Sequence, residues 1–250
     1  MSIHFASASF KDFENIPNLD IQERASTFQS YLNFLEENGH LNYRLESFNA
    51  CSPEMNILHS GRALPERCIS FVSNDYLGFT QHPKIKEAIK NAIDEFGSGS
   101  GASPAIGGHF SYHRMLEEKI AHFFKRKAAI LYTTGYTANS ATIQCLLKKE
   151  DIAIVDMAVH ASVYEGCQLT NVKTFMHNNL EGLEMALKNS KDKYRTKMVI
   201  VDGIYSQDGD EAYLNRIEEL THHYGGYLMV DDAHGVGVVG HHGRLSLIHI

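Results

Sequence analysis

Only four cysteines occur in the 250 residues, Cys51, Cys68, Cys145 and Cys167, and no two of them form a C-x-x-C pair. That spacing carries neither a redox dithiol nor a zinc-thiolate signature, so reduced thiols and a cytoplasmic location are expected. The first residues lack a secretory apolar core, because Lys11, Asp12 and Glu14 interrupt them. No apolar run approaches the ~18 residues of a membrane span. Basic residues are outnumbered, 23 against 30 acidic, and the net charge of −7 excludes a surface built to neutralise nucleic-acid phosphates. The histidine pairs His222-His223 and His241-His242 are adjacent rather than at helical spacing, so no metal site is expected. Internal repeats and low-complexity segments are also absent. What is present, 43% hydrophobic and 21% charged residues, suits a folded chain of one large domain with or without an appendage.

Along the chain, Leu32 and Leu35 suggest a helix ending near Gly39, and residues 51–67 read as loop or short edge strands. Pro83 opens a helix with a stripe of Ile85, Ala88, Ile89, Ala92, Ile93 and Phe96, which predicts one buried face. Gly97 ends it, and Leu116, Ile120 and Phe123 mark another helix. Five short apolar runs then follow, at 128–132, 152–155, 172–176, 198–201 and 227–230. Helical segments start between them near Gly135, His160, Leu180 and Ala212. This alternation predicts an α/β fold with a mostly parallel sheet covered by helices. Ligands of such sheets bind beyond the carboxyl ends of the strands, so the residues after each run are the candidates for chemistry.

Four groups occupy those places. Thr133-Thr134-Gly135-Tyr136-Thr137-Ala138-Asn139 is a small-residue turn entering a helix; its free N–H groups suit a phosphate, though it equally suits a plain helix start. Val159-His160-Ala161-Ser162 puts a flat ring at a helix start, for stacking on an aromatic ligand or for capping alone. Asp202-Gly203-Ile204-Tyr205-Ser206-Gln207-Asp208-Gly209-Asp210 reads as a turn, which leaves Ser206 at a strand end unaccounted for. Asp231-Asp232-Ala233-His234 places two acids after an apolar strand, where burial without partners is costly. A buried carboxylate there could hold a proton on a pyridine nitrogen; a solvated strand end or a pair of metal ligands are the alternatives. The segment Gly235-Val236-Gly237-Val238-Val239-Gly240 matches the dinucleotide pattern G-x-G-x-x-G. However, Asp231 to His234 intervene after the strand and His241-His242-Gly243 replaces the helix that pattern needs.

Together with Ser73-Asn74-Asp75-Tyr76-Leu77-Gly78, these groups in this order resemble the α-oxoamine synthases, fold-type-I enzymes of pyridoxal 5'-phosphate (PLP). The resemblance runs from Ser73 through Arg244, about two-thirds of the chain. The resemblance implies the large PLP-binding domain of that fold, with the small C-terminal domain missing. It also implies condensation of an amino acid with an acyl-CoA, with loss of carbon dioxide, by a homodimer. Gly135 and Tyr136 would offer amides to the cofactor phosphate, and His160 would stack on its ring. Ser206 and His234 would hydrogen-bond the cofactor, and Asp231 would pair with its ring nitrogen; Asn74 and Arg44 would meet substrate. His160, Asp231 and His234 are the expected catalytic residues. Gly107-Gly108-His109 departs from the Gly-Gly-Thr of many relatives, and Pro104 also sits in that stretch, near where relatives admit the acyl substrate.

The family's Schiff-base lysine would follow the Asp-Asp-Ala-His group, yet no lysine occurs after Lys197. The last residues, Leu245-Ser246-Leu247-Ile248-His249-Ile250, match a translated sequencing adapter. The expected organisation is an N-terminal helix and extended segment over 1–68, an incomplete PLP-binding domain over 69–244, and a non-native tail over 245–250. As written, the chain is expected to be inactive; the rival readings are another fold-type-I enzyme, such as an aminotransferase, and a non-catalytic fragment.

Overall fold

A computed structural model describes residues 3–245. Of the expected tail, Ser246 to Ile250 lie outside the described residues; the Leu245 N–H donates to the Val239 carbonyl (2.9 Å), and its side chain joins the core. The chain divides into two compact units, Met1–Ala92 and Ile93–Ile250.

In the first unit, helix α1 (Ile21–Glu37) starts at a capping box in which the Asp20 carboxylate accepts from the Glu23 N–H (2.8 Å) and Glu23 reciprocates (2.9 Å). Gly39, at φ +67°, follows its end as the sequence predicts. Strands β1 (Glu46–Ser47), β2 (Glu54–Leu58) and β3 (Glu66–Ile69) form an antiparallel sheet; β2 and the start of β3 fall in the 51–67 stretch read as loop or edge strands, and β1 precedes it. Helix α2 (Pro83–Phe96), whose last turn from Ile93 belongs to the second unit, has the predicted bounds, but its apolar stripe is not buried: Ile89 is 54% and Ile93 51% exposed. Periodicity specifies a face to be covered and carries no information on whether a neighbour covers it.

The second unit continues with α3 (Ser111–Phe123), α4 (Gly135–Leu146), β4 (Ile152–Asp156), α5 (Ala161–Gly166), β5 (Asn171–Phe175), α6 (Leu180–Ser190), β6 (Lys197–Asp202), α7 (Leu214–His223) and β7 (Tyr227–Asp231). The four strands pair in parallel in the order β5-β4-β6-β7. β4 is buried at all five positions and β6 at five of six, which requires cover on both faces and explains their unbroken apolar runs. Ile143 and Leu147 at the end of α4, Val163 of α5, Leu183 and Leu187 of α6, and Ile217 of α7 supply that cover. Leu183 is fully buried, so Leu183→Ala is expected to lower stability by about 2–5 kcal/mol, read as a reduced urea midpoint at unchanged slope.

One predicted strand is corrected. Residues 128–132 join no ladder among the described residues, and Ile130 is 71% exposed. Apolar and β-branched residues permit a strand, but a strand exists only where another edge accepts its hydrogen bonds.

The strand order decides where a ligand would sit. From β4 the chain moves to β5 on one side, then returns past β4 to β6 on the other. The carboxyl ends of β4 and β6 therefore flank a topological switch point, where loops diverge and leave a crevice.

Candidate active site

That crevice holds a cavity of about 140 Å³ lined by Gly135, Tyr136, Asn139, His160, Asp202, Ile204, Ser206, Asp231, Ala233 and His234. All six residues expected to bind a cofactor, Gly135, Tyr136, His160, Ser206, Asp231 and His234, line it. They come from four separate elements. Arg44 and Asn74 belong to the first unit, where both are exposed.

At the start of α4, the Thr134 hydroxyl accepts from the Thr137 N–H (3.0 Å), and the Thr137 hydroxyl accepts from the Thr134 N–H (3.2 Å). This cap satisfies the third amide of the helix. The amides of Gly135 and Tyr136 precede any intrahelical acceptor and stand at the cavity, where an anion would also meet the positive end of the helix.

Asn139, one turn further on, is buried and reaches two partners through its Nδ2, which donates to Asp231 Oδ2 at 2.6 Å and to Ser162 Oγ at 2.9 Å. Asp231 Oδ1 accepts from the Ala233 N–H (3.0 Å). Ser162 Oγ lies 2.8 Å from His160 Nδ1, which also accepts the Ser162 backbone N–H at 3.3 Å. A backbone N–H can only donate, so Nδ1 is an acceptor, the Ser162 hydroxyl donates to it, and the ring proton sits on Nε2. A polar chain thus runs from Asp231 through Asn139 and Ser162 to His160, orienting carboxylate and ring together. The Tyr136 and His160 rings meet edge to face, with centroids 6.0 Å apart.

Asp202 and Asp231 are register partners on β6 and β7. Burial, then the charge of Asp231, pushes the Asp202 carboxyl up to about 7; its Oδ1 is buried without a hydrogen-bond partner. The paired acids of the sequence separate. Asp231 lines the cavity, whereas Asp232 lines a different cleft with Ala128, Leu228 and Val230, because successive strand residues point to opposite faces. Burial raises the Asp232 carboxyl to about 6. The G-x-G-x-x-G segment forms turns followed by a short 3-10 helix at His241–Gly243, and not the α-helix a dinucleotide site requires.

Asn139 and Asp202, which line the cavity, and Ser162, which links Asn139 to His160, are not singled out by the sequence. A signal existed for Asn139, four residues after Gly135 and so on the same helix face. Asp202 ends a strand much as Asp231 does, but it opens the Asp- and Gly-rich segment 202–210 that reads as a turn.

Comparison with known proteins follows the same lines. The family described as Aminotransferase class I and II matches residues 66–249. The 8-amino-7-oxononanoate synthase of Bacillus pumilus (strain SAFR-032) is 43% identical over 183 residues, 72% of this chain and 46% of that protein. The synthase of the same name from Alkaliphilus metalliredigens (strain QYMF) is 42% identical over 186 residues, 74% of this chain and 47% of its own length. Among solved structures, the serine palmitoyltransferase of Sphingomonas wittichii superposes with a TM-score of 0.81 at 32% identity, covering 90% of this chain and 56% of that one. The chain spans about half the length of the curated relatives it matches.

Proposed function

The chain belongs to the α-oxoamine synthase family of PLP enzymes, and on that premise we propose that it forms the cofactor-binding part of an acyltransferase. The reaction joins an amino acid to an acyl-CoA, with loss of carbon dioxide and CoA, to give an α-amino ketone. The observation that carries this reading is the convergence of six residues from four separate parts of the chain on one cavity.

The residues fit the cofactor in kind. Two free amides at a helix start suit a phosphate, the half-buried Asp231 carboxylate suits a ring nitrogen, and Ser206 and His234 suit ring substituents. The partnerless Oδ1 of Asp202 marks a polar position in the same lining. When bound, PLP supplies an electron-withdrawing ring next to the α-carbon of the amino acid. Asp231 would hold the proton on the ring nitrogen, with its carboxylate oriented by Asn139, and His160, oriented through Ser162, would stack on the ring. Asn74 and Arg44 are proposed to meet substrate, and the whole enzyme to be a cytoplasmic homodimer. No described helix is long and apolar enough to cross a membrane.

None of the residues lining the cavity is a lysine, which supports the reading that these 250 residues alone lack the covalent anchor and are inactive. Purified polypeptide 1–250 is expected to bind PLP in equilibrium dialysis, yet to release no CoA from any pairing of amino acid and acyl-CoA. CoA release above the enzyme-free rate would overturn the inactivity. Amino-group transfer to an oxo acid without acyl-CoA would instead indicate an aminotransferase. Absence of PLP binding would remove the cofactor assignment.

A further inference from the structure

The loop after β5 carries a histidine that the site described above does not use. His177 Nδ1 lies 3.1 Å from Asp156 Oδ1, at the end of β4. Its Nε2 lies 3.0 and 3.2 Å from the two carboxylate oxygens of Asp210, in the turn after β6. Asn178 repeats the same bridge: its N–H donates to Asp156 Oδ2 (2.9 Å) and its Nδ2 to Asp210 Oδ2 (2.8 Å). The fully buried Tyr205 ring packs edge to face on the imidazole, with centroids 4.3 Å apart. Carboxylates only accept, so both ring nitrogens donate and the imidazole is cationic in this arrangement.

Tyr205 and Asp210 bracket the turn that presents Ser206 to the cavity. Within the turn, the Tyr205 N–H donates to the Asp210 carbonyl (3.0 Å), the Gly209 N–H to the Tyr205 carbonyl (2.8 Å), and Ile204 bridges to Glu211, whose carbonyl also accepts from Asn178 Nδ2 (3.2 Å). We propose that His177 is a positioning residue, a cationic latch between two loops that ties the 205–211 turn, and with it Ser206, to the end of β4. Its relevance to cofactor binding rests on the PLP reading given above; the latch itself does not.

The latch is sensitive to pH. Burial pushes the imidazole down, but the hydrogen bonds and charges of Asp156 and Asp210 outweigh it, so its pKa is raised above the ordinary 6.5. Asp156 from β4, and Asp210 and Tyr205 from the turn, are the titratable groups that face the ring. A raised histidine pKa means a latch that is intact below pH 6.5 and opens as pH rises through the folded value. A neutral ring has one N–H, so one carboxylate then faces a lone pair.

Amide hydrogen exchange at fixed pH and PLP titration across pH test this on the purified protein. His177→Ala should speed exchange of the Tyr205 and Gly209 amides by about tenfold or more, and leave the Leu183 and Ile217 amides unchanged. Wild-type PLP affinity should fall as pH rises through the histidine titration, and His177→Gln should restore part of the exchange protection without that pH step. Should His177→Ala fail to fold, Asp210→Asn, at a half-exposed carboxylate, reads the same exchange. Unchanged exchange in the turn, or a pH step that persists in His177→Gln, would overturn the proposal. Protection lost as expected in a protein that binds no PLP would leave the latch standing and sink the cofactor reading instead.

Discussion

Asp231→Asn is expected to weaken PLP binding by roughly 10- to 100-fold while leaving the fold intact, because it removes one charge-assisted hydrogen bond. The argument rests on position. Asp231 ends β7 in the cavity, and Asn139 holds its Oδ2 at 2.6 Å, so the carboxylate is oriented before any ligand arrives. An amide of the same shape can keep the Asn139 contact, giving up acceptance from the Ala233 N–H, but cannot balance a protonated ring nitrogen. The measurement is an equilibrium titration of the cofactor beside a urea melt. Affinity within about threefold of wild type would show that the carboxylate does not face the ring. Asn139→Ala should move affinity in the same direction by less, since it loosens the carboxylate without removing its charge.

The second large effect concerns stability. Without cofactor, the protein should lose stability as pH rises from about 4 to about 7. The sign follows from Asp202 and Asp232, whose carboxyls are raised to about 7 and about 6, chiefly by burial, from an ordinary 3.8. The unfolded chain releases these protons above pH 3.8, while the folded chain keeps them until its own higher values. Folded protein therefore binds more protons across that window, and stability falls through it. Asp151 acts oppositely and lower down: Arg195 holds its carboxyl at about 2, so its contribution is lost only as pH falls below 3.8. Asp202→Asn removes the larger of the two raised groups and should recover on the order of 2–4 kcal/mol near pH 8. Urea midpoints measured at several pH values test this. A flat wild-type profile, or a variant no more stable than wild type at high pH, would refute it.

Both effects follow from acids collected at one end of a parallel sheet. Such a site is costly while nothing cationic occupies it, because Asp202 and Asp231 face each other on adjacent strands. Asp202 keeps its proton near neutral pH and so avoids two adjacent charges.

The sequence by itself determined most of the local elements and six of the residues that line the cavity. Buried runs of β-branched residues fixed β4 and β6, and the small-residue turn at residues 133–135 fixed the start of α4. The order of groups along the chain placed Gly135, Tyr136, His160, Ser206, Asp231 and His234 after the strands. All these signals act over a few residues. The tertiary structure alone decided that α2 leaves its stripe exposed, that 128–132 finds no ladder, and that Asp231 and Asp232 part to different clefts. It also decided the pairing of Asn139 with Asp231, 92 residues apart, and the bridge from His177 to Asp156 and Asp210. The physical reason is strand order: periodicity and capping are properties of neighbouring residues, whereas the sequence β5-β4-β6-β7 across the sheet sets which distant side chains meet.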